Sequence, residues 1–442
     1  MQRSMSDSTA RLSTFARYKH ILRNRSLMML WGGSIVSLLG DIFFNLAIIW
    51  AIYSHSQSML QASLVQVVWH TSRIFIGFIA GAIADRYNQK TILLVTNIIS
   101  AVLVALLAVM MWNKEMPLLF TLAILFLLNT MFTFMSPAHY SIMPVVVGKE
   151  HLADATGLFT TISKVVYIAG TSAAGIFIAY FGAQWAVTVN AFSFIIAALI
   201  ILPLRLPPKT EEAIASTTKT TFWKGLKDGW RVVFDIPELK TIIWIGILIN
   251  VGAYMGPILP GLIDQQLHGG VGTLGLIQTA AIVGTMIGGI FAASIERTFG
   301  AGRLMIAGLT LVGCSIIVIA LSKSTSLTLV FFAIRMLGMT LVNISTGTAM
   351  QLLIPEQFRG RAWGVSSSLG IIAIPISSVI GGYAADLYGA SALFLFGGFW
   401  FICCALFVCT RREIRALRLG EITERPLAAK GAASQVSASS GG

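Results

Sequence analysis

The sequence predicts an all-α protein built into a membrane, and three observations lead there. Of 442 residues, 56% are hydrophobic and only 11% charged, with a mean hydropathy of +0.81, well outside the range of soluble domains. Apolar runs of roughly 20 residues or more, each long enough to cross a bilayer as a helix, recur twelve times. These runs lack the alternating polarity of barrel strands, and a helix satisfies its own backbone groups in lipid.

The runs lie at 27–52, 61–84, 91–112, 117–143, 156–181, 184–203, 241–262, 272–295, 302–322, 326–350, 362–385 and 390–410. The net charge of +13 is distributed unevenly among their connections. Of 31 Lys and Arg, Lys114 and Lys323 fall on one side, Arg73, Lys164 and Arg335 lie within runs, and the other 26 fall on the opposite side or in the tails. This is the positive-inside pattern, so both termini are expected in the cytoplasm of a bacterial-type inner or plasma membrane. It is no nucleic-acid footprint. The N-terminal segment is too polar and basic for a signal peptide, so the first helix is expected to be retained.

The long polar connection between the sixth and seventh runs divides the chain six plus six. The expected organisation is a tail at 1–26, a first helical half at 27–203, a linker at 204–240, a second half at 241–410 and a largely disordered tail at 411–442. Within the linker, Phe222, Leu226, Trp230 and Val233 alternate at helical spacing with Lys224, Lys227 and Arg231. This suits a short amphipathic helix on the inner membrane surface, either a plain connector or a regulatory one. A shift of 207 residues superposes Gly77 on Gly284, Gly81 on Gly288, Lys90 on Arg297, Gly157 on Gly364, Gly175 on Gly382 and Gly182 on Gly389. GIFIAYFGA thus lies over GYAADLYGA. A repeat spanning an even number of helices relates its halves by an axis along the membrane normal.

Motifs for hydrolysis or nucleotide binding do not occur: there is no HExxH, no P-loop and no GxSxG. Cys314, Cys403, Cys404 and Cys409 lie within runs without metal-ligand spacing and read as packing residues. No cofactor and no metal are expected, and any work done draws on a gradient. Phe, Met and Trp are frequent in the runs, among them Trp69, Phe132, Phe134, Tyr167 and Met255. A cavity lined by some of them would accept flexible apolar molecules.

The connection GAIADRYNQK, residues 81–90, carries Gly81 for close helix contact, Asp85 to accept from a helix N-terminus, and Arg86 and Lys90 to clamp carboxylates or phosphate headgroups. Simple positive-inside anchoring is the plainer reading. The stretch resembles the loop motif of the major facilitator superfamily, with Lys90 one residue later than the pattern. FMSPAHYSIMPVVVGKEHLADATGL, WAVTVNAFSFIIAALIIL, TLGLIQTAAIVGTMIGG and IPEQFRGRAWG are similar to segments of its drug:proton antiporter branch, which includes bacterial macrolide efflux proteins and the enterobactin exporter. The resemblance implies two six-helix bundles rocking about a central cavity and export of amphipathic organic molecules against proton uptake. The antiporter motif of the fifth helix is altered here: AGTSAAGIF around Gly170 and Gly175 lacks the usual proline, and residue 156 is Thr where relatives often have Asn.

Charges buried in the runs are the candidate chemistry. Asp41 stands about 16 residues beyond Arg25, roughly 24 Å in, and Arg73 about 12 residues before Asp85, roughly 18 Å in from the same side. Each costs about 2.5–3.5 kcal/mol at a helix centre, so each is expected to face the interior or water. Asn45 shares the helix face of Asp41, and His70 that of Arg73. Asp41 and Arg73 read either as a proton-coupling pair or as a static ion pair that fixes register. Lys164 joins the cavity or snorkels to the inner surface, Arg335 reaches Asp264 or a substrate anion, and His139 reads as a capped interfacial residue. Arg359 and Arg361, in the loop matching Asp85 and Arg86, complete a candidate cytoplasmic gate with Gly81 and Lys90.

The sequence thus points to a secondary transporter, with a small molecule, protons and membrane lipids as partners, acting as a monomer. A uniporter or symporter of a polar or lipid-like solute is the alternative within transport. A membrane enzyme or receptor is the alternative from another class.

Overall fold

The computed structural model describes residues 21–204, 234–354 and 359–415. The linker helix expected above lies outside them, as do residues 1–20 and 416–442 of the two expected tails. Within the described residues every regular element is helical: α1 (Arg25–Ser56), α2 (Met59–Arg86), α3 (Gln89–Trp112), α4 (Leu118–Val147), α5 (Leu152–Phe181), α6 (Ala183–Ile201), α7 (Pro237–Val251), α8 (Leu259–Leu267), α9 (Val271–Phe299), α10 (Ala301–Leu321), α11 (Thr325–Leu353), α12 (Arg359–Tyr388), α13 (Ala390–Thr410) and the short α14 (Arg412–Arg415).

Among the described residues, eleven spans are long and apolar enough to cross a membrane. The second expected run is helical too: α2 runs unbroken for 28 residues and carries Gln61, Gln66, His70, Thr71, Ser72 and Arg73. One departure concerns the run expected at 241–262. It breaks after Val251 into a 3-10 turn, Gly252–Met255, before α8 starts again at Leu259. Pro257 has no N–H to donate and Pro260 sits in the first turn of α8, so the helix restarts rather than continues.

Two compact units contain these elements. Unit 1 comprises residues 1–55 and 68–218, and unit 2 residues 56–67 and 219–442. The boundary falls inside α2. In unit 1, α3 packs on α4 and α6, and Trp31, Leu27 and Leu30 of α1 meet Leu93, Ile142 and Met143 in a closed apolar cluster. In unit 2, α10 packs on α11 and α13, α9 packs on α11, and α7 on α12. The α3–α6 and α10–α13 pairs correspond under the 207-residue offset. So do two hinges: Gly182 (φ +91°, ψ 160°) and Gly389 (φ +84°, ψ 155°) each join consecutive helices through one residue, in a conformation almost confined to glycine. Large apolar side chains such as Phe75, Leu119, Tyr180, Ile290 and Leu406 stand exposed, as residues in contact with lipid do.

Cys404 is buried and packs as expected. Cys314, Cys403 and Cys409 are exposed, so packing within the protein does not account for them.

Candidate functional site

Gly40 determines how Asp41 is presented. A Cβ at residue 40 would run into Asn190 and Ser193 of α6, so glycine lets α1 and α6 touch there. The Ser193 hydroxyl donates to the Asn190 carbonyl oxygen (2.8 Å) and to Asn190 Oδ1 (3.0 Å), which occupies the amide oxygen and leaves Nδ2 free. The amide lies beside the Asp41 carboxyl. Neither Asn190 Nδ2 nor Asp41 Oδ1 completes a well-formed hydrogen bond, although both are buried.

Asp41 opens onto a cavity of about 300 Å³ inside unit 1. Ser34, Ser37 and Leu38 line it from α1, Leu93 and Asn97 from α3, Phe132, Met135, Ser136, His139 and Tyr140 from α4, and Phe159 and Ser163 from α5. Five of its polar atoms are buried without a partner: Ser37 Oγ, Asp41 Oδ1, Asn97 Oδ1, His139 Nε2 and Ser163 Oγ. The Asn97 amide donates to the Leu93 carbonyl (2.6 Å), which accounts for its nitrogen and leaves its oxygen over. An unsatisfied buried group costs about 1–3 kcal/mol, so such a cluster on one small cavity marks a place where a proton, water or polar ligand belongs.

Arg73 lies elsewhere. It lines a neighbouring cavity of about 510 Å³ with Gly77, Asn129, Thr133 and Pro137, and its side chain is exposed. Phe132, Ser136 and Tyr140 of α4 border both cavities, so this face of α4 stands between the carboxylate and the guanidinium. The middle of α2 is held to α4 by the Asn129 amide, which donates to the Trp69 carbonyl, and by the Ser72 and Thr130 hydroxyls 3.2 Å apart. His70 is half-buried with Nδ1 unpartnered.

Asn45 and Lys164 are exposed, and neither lines the Asp41 cavity, although Ser163 next to Lys164 does. Arg335 belongs to unit 2, where its guanidinium sits 5.5 Å from the Phe332 ring centroid, Nη1 approaches Met336 Sδ (3.9 Å) and Nε is buried without a partner. His139 is not the capped residue expected: its ring is 5.5 Å from that of Phe159 and its Nε2 has no partner. Gly81, Asp85, Arg86, Arg359 and Arg361 lie in helices, but their side chains fall outside the described residues. Lys90 is half-buried, and its backbone N–H donates to the Asn88 side chain that caps α3 (2.9 Å).

Asn97, Asn190, Ser37 and Ser163 went unmarked in the sequence. An Asn inside WAVTVNAFSF is the available signal for Asn190. One further buried carboxyl lies in unit 2 at the end of α9: Glu296 is 4% exposed, Oε1 has no partner, and the Thr348 hydroxyl reaches Oε2 (3.4 Å). Burial raises its pKa and the Thr348 contact partly offsets this.

A chain of apolar helices in two related units, with polar atoms gathered on an interior cavity, has the build of a major facilitator transporter. The family model described as transmembrane secretion effector matches residues 14–441, and the chain belongs to that family of major facilitator transporters. It is a transporter and not an enzyme. It is 21% identical over 394 residues to macrolide efflux protein A of Streptococcus pyogenes, covering 88% of this chain and 96% of that protein. It is 26% identical over 379 residues to the multidrug efflux pump Tap of Mycolicibacterium fortuitum, covering 84% and 91%. Among solved structures, the nucleoside transporter NupG superposes with a TM-score of 0.73 at 11% identity, covering 88% of this chain and 98% of that one. A bacterial homologue of the iron transporter ferroportin, in an inward-facing state, gives 0.65 at 15% identity, covering 87% and 99%. These last two establish the fold.

Proposed function

We propose that the protein exports an amphipathic organic molecule by alternating access in exchange for protons, with Asp41 as the coupling group. The observation that carries this is the Asp41 carboxyl on a small interior cavity with one oxygen buried and unpartnered. Such a group changes charge when its surroundings change, because desolvation disfavours the charged form and a polar or cationic partner restores it. His139, on the same cavity, is the candidate to pass the proton on. Asp41 and Asn97 present acceptors, and no Lys or Arg lines the cavity among the described residues. Aromatic walls at Phe132 and Phe159 complete a lining suited to an apolar molecule that brings its own N–H donors. The names of the efflux relatives support the outward direction of transport.

Arg73, on the adjacent cavity, serves as the movable cation, approaching as the carboxylate becomes charged. Asn45, His70, Lys164 and Arg335 are assigned to the same transport path on their sequence positions, and Gly81, Asp85, Arg86, Lys90, Arg359 and Arg361 to a cytoplasmic gate. The protein works as a monomer with no cofactor.

The test is Asp41→Asn in inverted vesicles with an imposed pH gradient. The variant mimics the permanently protonated form, so gradient-driven accumulation is expected to disappear while direct substrate binding persists. Full accumulation at normal expression would remove Asp41 from coupling.

The proposed orientation has both termini in the cytoplasm, from the charge asymmetry. Cysteines at Ser56 and Lys323, in a background lacking the native ones, are expected to react with an impermeant thiol reagent in intact cells. Reaction at Ser216 instead would reverse the orientation.

A further inference from the structure

The sequence gives residues 411–442 the look of a largely disordered tail, yet its first residues form α14, which packs on α7, α10 and α13 within unit 2. Ile414 is buried there. The seat depends on Gly302 in the first turn of α10, where a Cβ would penetrate the Ile414 carbonyl and crowd the Arg415 Cα. Backbone meets backbone at this point, as small residues allow between membrane helices.

The same seat gathers cations. Arg303 follows Gly302 on α10, Arg411 joins α13 to α14 and Arg415 ends α14, and all three side chains are exposed. None has a carboxylate partner among the described residues. The start of α7 adds no net positive charge, because Asp235 and Glu238 accompany Lys240, so the positive charge rests on the arginines. Arg411 is held in place, its guanidinium 4.8 Å from the Phe407 ring centroid. The apolar spans here begin at Glu238 and Ala301 and end at Thr410, which puts these arginines where hydrocarbon gives way to headgroups. Leu406, exposed one turn before Thr410, continues the patch with apolar surface. A guanidinium matches two oxygens of a phosphate at once, and basic sites at helix ends are suited to acidic headgroups.

We propose that the surface around α14 binds an anionic phospholipid, with Arg303, Arg411 and Arg415 on its phosphate and the apolar end of α13 beside its acyl chains. The bound lipid bridges α10, α13 and α14 and fixes the end of unit 2 from which the tail leaves. A soluble phosphate shares the charge but gains nothing from Leu406 and Phe407, so the position at membrane level selects the lipid.

The test titrates the full-length protein in detergent with phosphatidylglycerol and, separately, with zwitterionic phosphatidylethanolamine, and reads bound lipid by native mass spectrometry. Phosphatidylglycerol is expected to bind more tightly. Arg303→Gln, Arg411→Gln and Arg415→Gln are each expected to weaken it about fivefold, the factor for one cation at a membrane surface, and the triple variant about a hundredfold. Gly302→Ala removes no charge but displaces α14, so it too is expected to weaken binding; should it fail to fold, the single arginine variants carry the test. Arg23→Gln with Arg25→Gln removes two exposed cations from unit 1 and is expected to change little. An equal loss per cation in that control pair, or no preference for phosphatidylglycerol, would reduce the site to general attraction and overturn it. Displacement of the lipid by excess inorganic phosphate would show a soluble-anion site and overturn the lipid as its ligand.

Discussion

The two units share a scaffold and divide the chemistry. Unit 1 holds a small cavity with five unpartnered polar atoms around Asp41, whereas unit 2 holds a cavity of about 770 Å³ whose walls are mostly Ile, Leu, Ala and Phe. The larger cavity lies along α7, α12 and α13, and its Tyr254 hydroxyl is already spent on the Leu393 carbonyl (2.9 Å). At the 207-residue offset, Asp41, Asn97 and Ser163 align with Leu248, Leu304 and Gly370, and Arg73 with Ala280. Arg335 and Asp386 in turn align with Leu128 and Ala179. Duplicated helix contacts reproduce the packing, and the charges sit where the copies disagree. Under the proposed exchange for protons, a carboxylate without a counterpart in the other copy gives the proton a single preferred site.

The largest effect tests that division directly. Asp41→Asn is expected to abolish accumulation driven by a pH gradient, and adding Leu248→Asp to that variant is expected to leave it inactive. Residue 248 has no equivalent of Asn190, Asn97 or His139 around it, so a carboxylate placed there gains desolvation without a path for the proton. Recovery of transport in the double variant would show that the halves are interchangeable and that the cavity of unit 1 is incidental.

The glycine pair Gly77 and Gly284 predicts an intermediate effect. The two positions are equivalent in the repeat, yet a Cβ at residue 77 meets nothing within 4 Å while one at 284 would penetrate the backbone of Ala333 on α11. Backbone cannot rotate aside as a side chain does. Gly284→Ala is therefore expected to cost about 1–3 kcal/mol, seen as a Tm several degrees lower in detergent. Gly77→Ala is expected to be neutral or to gain up to about 1 kcal/mol from helix propensity. Equal losses at the two sites would mean that α2 is packed in unit 1 as closely as α9 is in unit 2.

Much of this was legible before the structure. Segment length and hydropathy mark the spans, and the repeat appears in the spacing of its glycines. What the sequence hides is azimuth. In a soluble helix the apolar stripe shows which side faces the core, but here lipid and core are both apolar, so the pattern does not say which way Asp41, Arg73 or His139 points. Depth along the helix axis placed Asp41 and Arg73 together, and rotation about it put them on separate cavities of unit 1. The position of His139 near a helix end suggests a capped residue, whereas the packing of α4 turns it into the Asp41 cavity. Asp386 stood in plain view opposite Ala179, but its hydrogen-bond partners Ser58, Met59 and Leu60 lie 326 to 328 residues away, beyond any local pattern. The break at Gly252–Met255 was readable in principle from Gly252, Gly256, Pro257 and Pro260, since prolines withhold the donors that continue a helix.

The smallest effect lies where the units agree. Gly182 and Gly389 adopt nearly the same positive-φ conformation between consecutive helices, and an L-residue forced there is strained by about 1–3 kcal/mol whatever surrounds it. Their surroundings differ: a Cβ at 182 would come within 2.7 Å of the Gln184 amide, while one at 389 would meet nothing within 4 Å. The Gln184 group is the far end of a flexible side chain and can swing away, so the contact adds little to the strain. Gly182→Ala and Gly389→Ala are thus expected to lower Tm by similar amounts, and the double variant by about their sum, as for independent sites. A clearly larger loss for Gly182→Ala would show that Gln184 is fixed where it lies. Gly182→Ala combined with Gln184→Ala would then bring the loss back to that of Gly389→Ala, and the equivalence of the two hinges would stand.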